Sequence, residues 1–261
     1  MRFSFMSFSC PGADFAEFVA LAVRYGYDGI EPRTDAGHRH GIEVGAPDVF
    51  LAGARKTAED NGIKICCVAT GCSYADPVKK DENVEKTKGA IELAAALGCP
   101  VIRVFGGVIP ENTTRETSFD SIVSALKEIA GFAALNNVKV CLETHDSWCD
   151  PSQAVKIIEA VDDPAVAVNW DIMHPVLTAG YTMDGAFNVL KGRIGHVHIH
   201  DGVRENGKLT LMPVGSGAVD HGAALRALRG CGYDGFVSGE WIDWEPYGIH
   251  LPREIEALKS L

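Results

Sequence analysis

The 261-residue sequence contains no run of about 20 apolar residues, so it offers no membrane-crossing helix. Basic residues are in deficit. Against 35 Asp and Glu stand 24 Lys and Arg, a formal charge of −11, which disfavours a nucleic-acid backbone or an anionic membrane as partner. The eight cysteines include no Cys-x-x-Cys pair and show no metal-ligand spacing. They are dispersed, and Cys66, Cys67, Cys99 and Cys141 sit in or beside apolar runs, so reduced thiols in a cytoplasmic protein are expected. The opening MRFSFMSFSCPG has one basic residue and an apolar stretch too short for a signal-peptide core. No Ser/Pro-rich linker or low-complexity segment divides the chain, which reads as one domain over residues 1–261.

What is present is alternation. Short β-type runs recur at 2–9, 29–33, 64–70, 101–106, 139–145, 166–171, 194–200 and 236–241, each followed by an amphipathic segment. Asp14 with Glu17 forms a capping-box signature, and Asp150-Pro151 repeats the cap with Pro at the first helical position. Gly26, Gly62, Gly98 and Gly232 fall where helices should stop. A small repeat, Gly26-Tyr27-Asp28-Gly29 and Gly232-Tyr233-Asp234-Gly235, marks two similar helix-to-strand turns. Eight strand–helix units predict an α/β fold, a single (β/α)8 TIM barrel. An open doubly wound sheet is the alternative, but Ser9-Cys10-Pro11-Gly12 after the first strand is not a phosphate-binding glycine loop.

Active sites of such barrels form at the C-terminal ends of the strands. There the second strand delivers Glu31 and Arg33, the fifth Glu143 and His145, the sixth Asp171 and then His174, the seventh His196, His198, His200 and Asp201, and the eighth Glu240. Residues two apart on a strand share a face, so the three histidines point one way and Val197 and Ile199 the other. Buried carboxylates cost several kcal/mol apiece without compensation, and a cation would offset that cost.

Ile30-Glu31, Leu142-Glu143-Thr144-His145, Asp171-Ile172-Met173-His174, His196-Val197-His198-Ile199-His200-Asp201, Gly215-Ser216-Gly217-Ala218-Val219-Asp220 and Gly239-Glu240-Trp241 together resemble the xylose isomerase-like TIM-barrel superfamily, in its sugar phosphate isomerase/epimerase branch. The resemblance spans essentially the whole chain. It implies Glu143, Asp171, His198 and Glu240 as metal ligands. Parity leaves the three histidines of the seventh strand equivalent, and the family's His-x-x-acid pattern ending at Asp201 selects His198. The resemblance further implies that His174 hydrogen-bonds a substrate oxygen and that Glu31 and Arg204 line the sugar site. Three carboxylates with one imidazole form an oxygen-rich set that suits Mn²⁺, with Mg²⁺, Co²⁺ and Zn²⁺ as alternatives.

The implied chemistry is proton transfer through a metal-stabilised enediolate of a keto-sugar or sugar phosphate, with Glu143 and Glu240 as the acid/base pair. Proton return to the same or the neighbouring carbon separates epimerase from isomerase. The same enediolate could expel a β-substituent, making a dehydratase or lyase the alternative. His145 is then a candidate acid, or else a group that orients Glu143 or His174. The 215–220 loop reads as a turn in which Asp220 caps the next helix rather than as a phosphate cradle. Abasic-site endonucleases share the fold, but the acidic charge points away from them. A non-catalytic sugar-binding barrel fits the intact ligand set poorly. The expected partner is a small carbohydrate, and barrels of this kind often pair as homo-oligomers. Glu31-Pro32-Arg33 and Thr144-His145-Asp146 depart from the best-known ketose epimerases and hydroxypyruvate isomerases, so the particular sugar stays open.

Overall fold

The computed structural model describes residues 1–261. Its strands in chain order are β1 (Arg2–Met6), β2 (Gly29–Glu31), β3 (Lys64–Ile65), β4 (Val68–Ser73), β5 (Val101–Phe105), β6 (Lys139–Glu143), β7 (Val166–Asp171), β8 (Ile194–Ile199), β9 (Asp201–Glu205), β10 (Lys208–Met212) and β11 (Phe236–Gly239). Nine of them form one sheet in the order β3-β2-β1-β11-β8-β7-β6-β5-β4, and every pairing in it is parallel. The expected third strand is divided into β3 and β4. Pro32 on the neighbouring stave has no N–H to give to the ladder, so regular pairing lapses there and resumes at the Arg33–Ala69 bridge. That bridge joins the sheet's two ends, and eight staves make the expected barrel ring.

The helices are α1 (Phe15–Tyr25), α2 (Asp48–Asp60), α3 (Lys80–Ala96), α4 (Arg115–Leu135), α5 (Pro151–Val161), α6 (His174–Leu177), α7 (Met183–Leu190), α8 (His221–Gly230) and α9 (Tyr247–Ser260). None is long and apolar enough to cross a membrane. Their ends follow the local chemistry. Asp14 and Glu17 close the capping box on α1, and Asp150 caps α5 through the Ser152 N–H. Gly26 and Gly232 end α1 and α8 at φ of +77° and +75°, a conformation that costs glycine little. All eight cysteines are free, and only Cys231 is exposed.

Two features differ from expectation. The first strand stops at Met6, because Ser7–Ser9 turns into a 3₁₀ helix in which Ser7 Oγ accepts the Arg33 N–H. After the seventh stave the chain makes an unanticipated antiparallel hairpin, β9 with β10, turning at Asn206-Gly207 with φ of +50° and +80°. An Asn-Gly pair is the residue choice that such a turn requires.

Register places the functional side chains. Phe105 lies beside Glu143, Glu143 beside Asn169, Asp171 beside His198, and His198 beside Ser238. Between Val168 and Asn169 the β7–β8 register slips by one residue at Gly195. A Cβ at Gly195 would approach Cys141 Sγ to 2.7 Å and Ala167 Cβ to 2.9 Å, so the bulge needs glycine. Beyond the bulge the imidazoles of His196, His198 and His200 meet carboxylates from other staves, while Val197 and Ile199 join the apolar core.

Candidate active site

Glu143 ends β6, Asp171 ends β7, His198 lies in β8, and Glu240 follows β11. One potential ligand atom from each of the four lies within 4.8 Å of all the others, and all four residues are buried. His198 Nδ1 is 3.0 Å from Glu143 Oε1 and 3.2 Å from Glu240 Oε2. Burial opposes a charge on His198, but Glu31, Glu143 and Glu240 together hold its pKa well above the ordinary imidazole range. Burial likewise disfavours the Glu240 carboxylate, and His198 with Arg103 reverses the balance and lowers its pKa.

Asp171 is held on two sides. Its Oδ1 accepts the N–H groups of Met173 at 2.8 Å and His174 at 3.0 Å, and its Oδ2 lies 2.8 Å from His200 Nε2. Thr144 Oγ1 accepts the Asp171 N–H at 3.0 Å, tying the ends of β6 and β7 together. Burial again works against ionisation, yet His200 and His174 keep Asp171 well below the usual carboxylate range. His174 Nε2 is 4.0 Å from Asp171 Oδ2.

A row of rings leads from the rim to this carboxylate. Phe105 and His145 have centroids 5.0 Å apart, His145 and His174 4.3 Å, and His174 and His200 5.7 Å. Two of these imidazoles titrate in opposite directions. Burial alone would lower His145, but Asp146, 3.0 Å from its Nδ1, together with Glu143 raises it to about 9. His174 is lowered by burial, with His145 and His200 adding repulsion. A charged imidazole thus stands beside a neutral one at neutral pH.

Two residues that the resemblance assigns to the sugar site lie outside the four-residue cluster. Glu31 lies wholly buried, with Oε1 3.0 Å from His198 Nε2 and Oε2 2.8 Å from His196 Nε2. Both of its oxygens face histidines, a position from which it can orient His198. Arg204 is exposed on the hairpin, donating to Gly207 O and Thr178 Oγ1, outside the carboxylate cluster. The 215–220 loop carries the expected cap, since Asp220 accepts the Ala223 N–H. Its Gly215 and Gly217 N–H groups donate to Asp201 and are not free for a phosphate.

Sequence reasoning missed Arg103. It is 1% exposed, stacks its guanidinium 4.0 Å from the Phe105 ring centroid, and donates to Thr70 O at 2.7 Å. Its Nε is 3.1 Å from Glu143 Oε2, and its Nη2 is 3.9 Å from Glu240 Oε1. The signal was a lone charge inside the apolar run Val101-Ile102-Arg103-Val104 at an inward position.

The donor set fits a divalent cation. Four carboxylates, counting Glu31, are buried around one guanidinium, and Glu143 Oε2 makes no hydrogen bond. Apart from that guanidinium, positive charge comes only from imidazoles such as His198, whose pKa the carboxylates raise and whose proton a divalent cation would replace. Glu143 Oε2, 3.1 Å from Arg103 Nε, lacks a hydrogen bond. Three carboxylates and one imidazole nitrogen are donors that Mn²⁺, Mg²⁺, Co²⁺ and Zn²⁺ can each accept.

A family-wide sequence profile of xylose isomerase-like TIM barrels matches residues 19–261. The chain belongs to this family. The resemblance read from the strand ends is borne out, and so is the barrel of this xylose isomerase-like protein. A putative hydroxypyruvate isomerase of Mus musculus is 30% identical over 172 residues, covering 60% of the chain and 59% of that protein. The chain spans about half the length of the curated relatives it matches. Among solved structures, the probable 3-DHS dehydratase AsbF from Bacillus anthracis superposes with a TM-score of 0.83 at 20% identity over 99% of both chains. The IolI protein with a binding zinc atom gives 0.78 at 23% identity, over 100% of this chain and 96% of that one. These two structures show the shared barrel.

Proposed function

We propose that this chain is a divalent-metal-dependent isomerase or epimerase of a keto-sugar or sugar phosphate, working by proton transfer through an enediolate. The observation that carries the reading is the convergence of two buried carboxylates from different staves, Glu143 and Glu240, on one nitrogen of His198. Glu143, Asp171, His198 Nδ1 and Glu240 would hold the cation, which when bound supplies the positive charge that polarises a substrate carbonyl and stabilises the enediolate. Mn²⁺ suits this oxygen-rich set best. The zinc in the IolI structure supports a divalent ion without choosing Mn²⁺.

The chain's own groups then move the proton. One of Glu143 and Glu240 takes it from the carbon beside the carbonyl, and the other returns one. Arg103 is close to both, and beside Glu240 it favours the ionised carboxylate that a base needs. His174, neutral and next to Asp171, hydrogen-bonds a substrate oxygen, and His200 holds Asp171 in place. Glu143→Gln keeps the side chain's shape and removes the base. Turnover should fall about 10²- to 10⁴-fold with the melting temperature little changed, and full activity in that variant overturns the assignment.

One observation favours a second reading. His145 is charged at neutral pH, partly exposed and at the rim, where it could protonate a departing β-hydroxyl or alkoxy group. The dehydratase among the structural neighbours supports a lyase built on the same enediolate. His145→Gln separates the readings. An isomerase retains most activity, whereas an eliminating enzyme loses turnover most severely on substrates with poor leaving groups.

A further inference from the structure

Beneath the proposed catalytic cluster, toward the N-terminal end of the barrel, lies a second group of ligand-type side chains, of which only Glu31 touches the upper cluster, through His198. Glu31, Cys66 and His196 are buried, and one donor atom from each lies within 4.8 Å of the others. Glu31 Oε2 is 2.8 Å from His196 Nε2. Cys66 makes contacts of 3.2 Å to Ser4 Oγ and 3.3 Å to Ile30 O. Cys66 and His196 also line a cavity of about 220 Å³ walled by Arg2, Lys64, Gly195 and Phe236. Exposed Arg2 and Lys64 mark its opening at the barrel's N-terminal face. The cavity provides an entry path and room for a water as a further ligand.

We propose that Glu31, Cys66 and His196 form a second metal site, selective for a thiophilic divalent ion of the zinc type. One thiolate, one carboxylate and one neutral imidazole are donors of the kind zinc takes, and three protein ligands with an open position are the pattern of non-structural zinc sites. Charge supports the assignment: a divalent ion offsets the negative charge of one thiolate and of the carboxylate that Glu31 shares with His198. The donor set contrasts with the oxygen-rich cluster above it, so the two sites should sort ions by softness. Glu31 links them, since its other oxygen faces His198 Nε2.

The test is titration of the full-length, reduced, metal-free protein with Co²⁺ alone. A cysteine-ligated site predicts a second equivalent of bound cobalt that carries an intense near-ultraviolet thiolate-to-cobalt charge-transfer band. In Cys66→Ser that band should vanish and affinity for the second equivalent should fall at least about tenfold, while the first equivalent is unaffected. In Glu143→Gln the band should persist, which separates this site from the upper one and leaves its test valid if the proposed function fails. Absence of the band in the wild-type protein overturns the proposal whether or not the variant folds, and so does an undiminished band in Cys66→Ser. Loss of the band in His196→Gln supports the same site if Cys66→Ser folds poorly.

Discussion

His40 shows how a polar side chain becomes part of the interior. It is 2% exposed, stacks on Phe18, and accepts the Ile42 N–H at Nδ1. Burial, reinforced by His38, lowers its pKa from 6.5 to about 4. The unfolded chain takes up this proton near pH 6.5 and the folded chain only near pH 4, so the stabilising contribution is complete above pH 6.5 and is lost as pH falls toward 4. The effect amounts to at most about 3 kcal/mol. His40→Asn should therefore lose less stability than the wild-type protein between those pH values when both are unfolded in denaturant. Parallel stability curves across that range contradict the account. Arg103 teaches a related lesson at the same scale. Its inward position was legible from strand parity, but which carboxylates it meets depends on the stagger between β5, β6 and β11, which no local pattern encodes.

The β7–β8 pair is the element on which the site depends. The slip at Gly195 sets how far His196, His198 and His200 advance relative to Asp171, and the bulge has no room for a side chain. Gly195→Ala should cost about 1–3 kcal/mol of stability and weaken metal affinity at the upper cluster, measured together by denaturant unfolding and cobalt titration. A variant with unchanged stability and binding would show that the bulge does not position the row. Much of this architecture was legible beforehand. The eight apolar runs, the Asp14 and Asp150 caps and the glycine stops all lie where local chemistry puts them. The division at Pro32 and the Asn206-Gly207 hairpin carried standard signals that periodicity of the main strands obscured. Glu31 was the harder case. Its parity pointed inward correctly, but only the register carried around the barrel from β2 through β1 and β11 to β8 shows that both of its oxygens are taken by His196 and His198.

For the whole molecule, the barrel concentrates buried negative charge at its centre and supplies one buried guanidinium against it. Replacing the histidine protons that balance this charge with a divalent cation should stabilise the fold. At a free Mn²⁺ concentration 100 times the dissociation constant, linkage adds about 2.7 kcal/mol, a rise of several degrees in melting temperature that chelation reverses. In His198→Ala this stabilisation should largely disappear, and an undiminished thermal shift would remove His198 from the ligand set. The central claim, proton transfer through an enediolate, is tested most directly by incubating the Mn²⁺-loaded protein in D₂O with free ketoses, phosphorylated ketoses and 3-keto-glycosides. NMR spectra are then taken after the ion is removed. The account predicts a rearranged sugar of unchanged formula with deuterium at the single carbon where the proton was returned, absent in Glu143→Gln. Rearrangement without deuterium from solvent would contradict it, whereas a product lacking the β-substituent would keep the enediolate and replace the isomerase with the lyase.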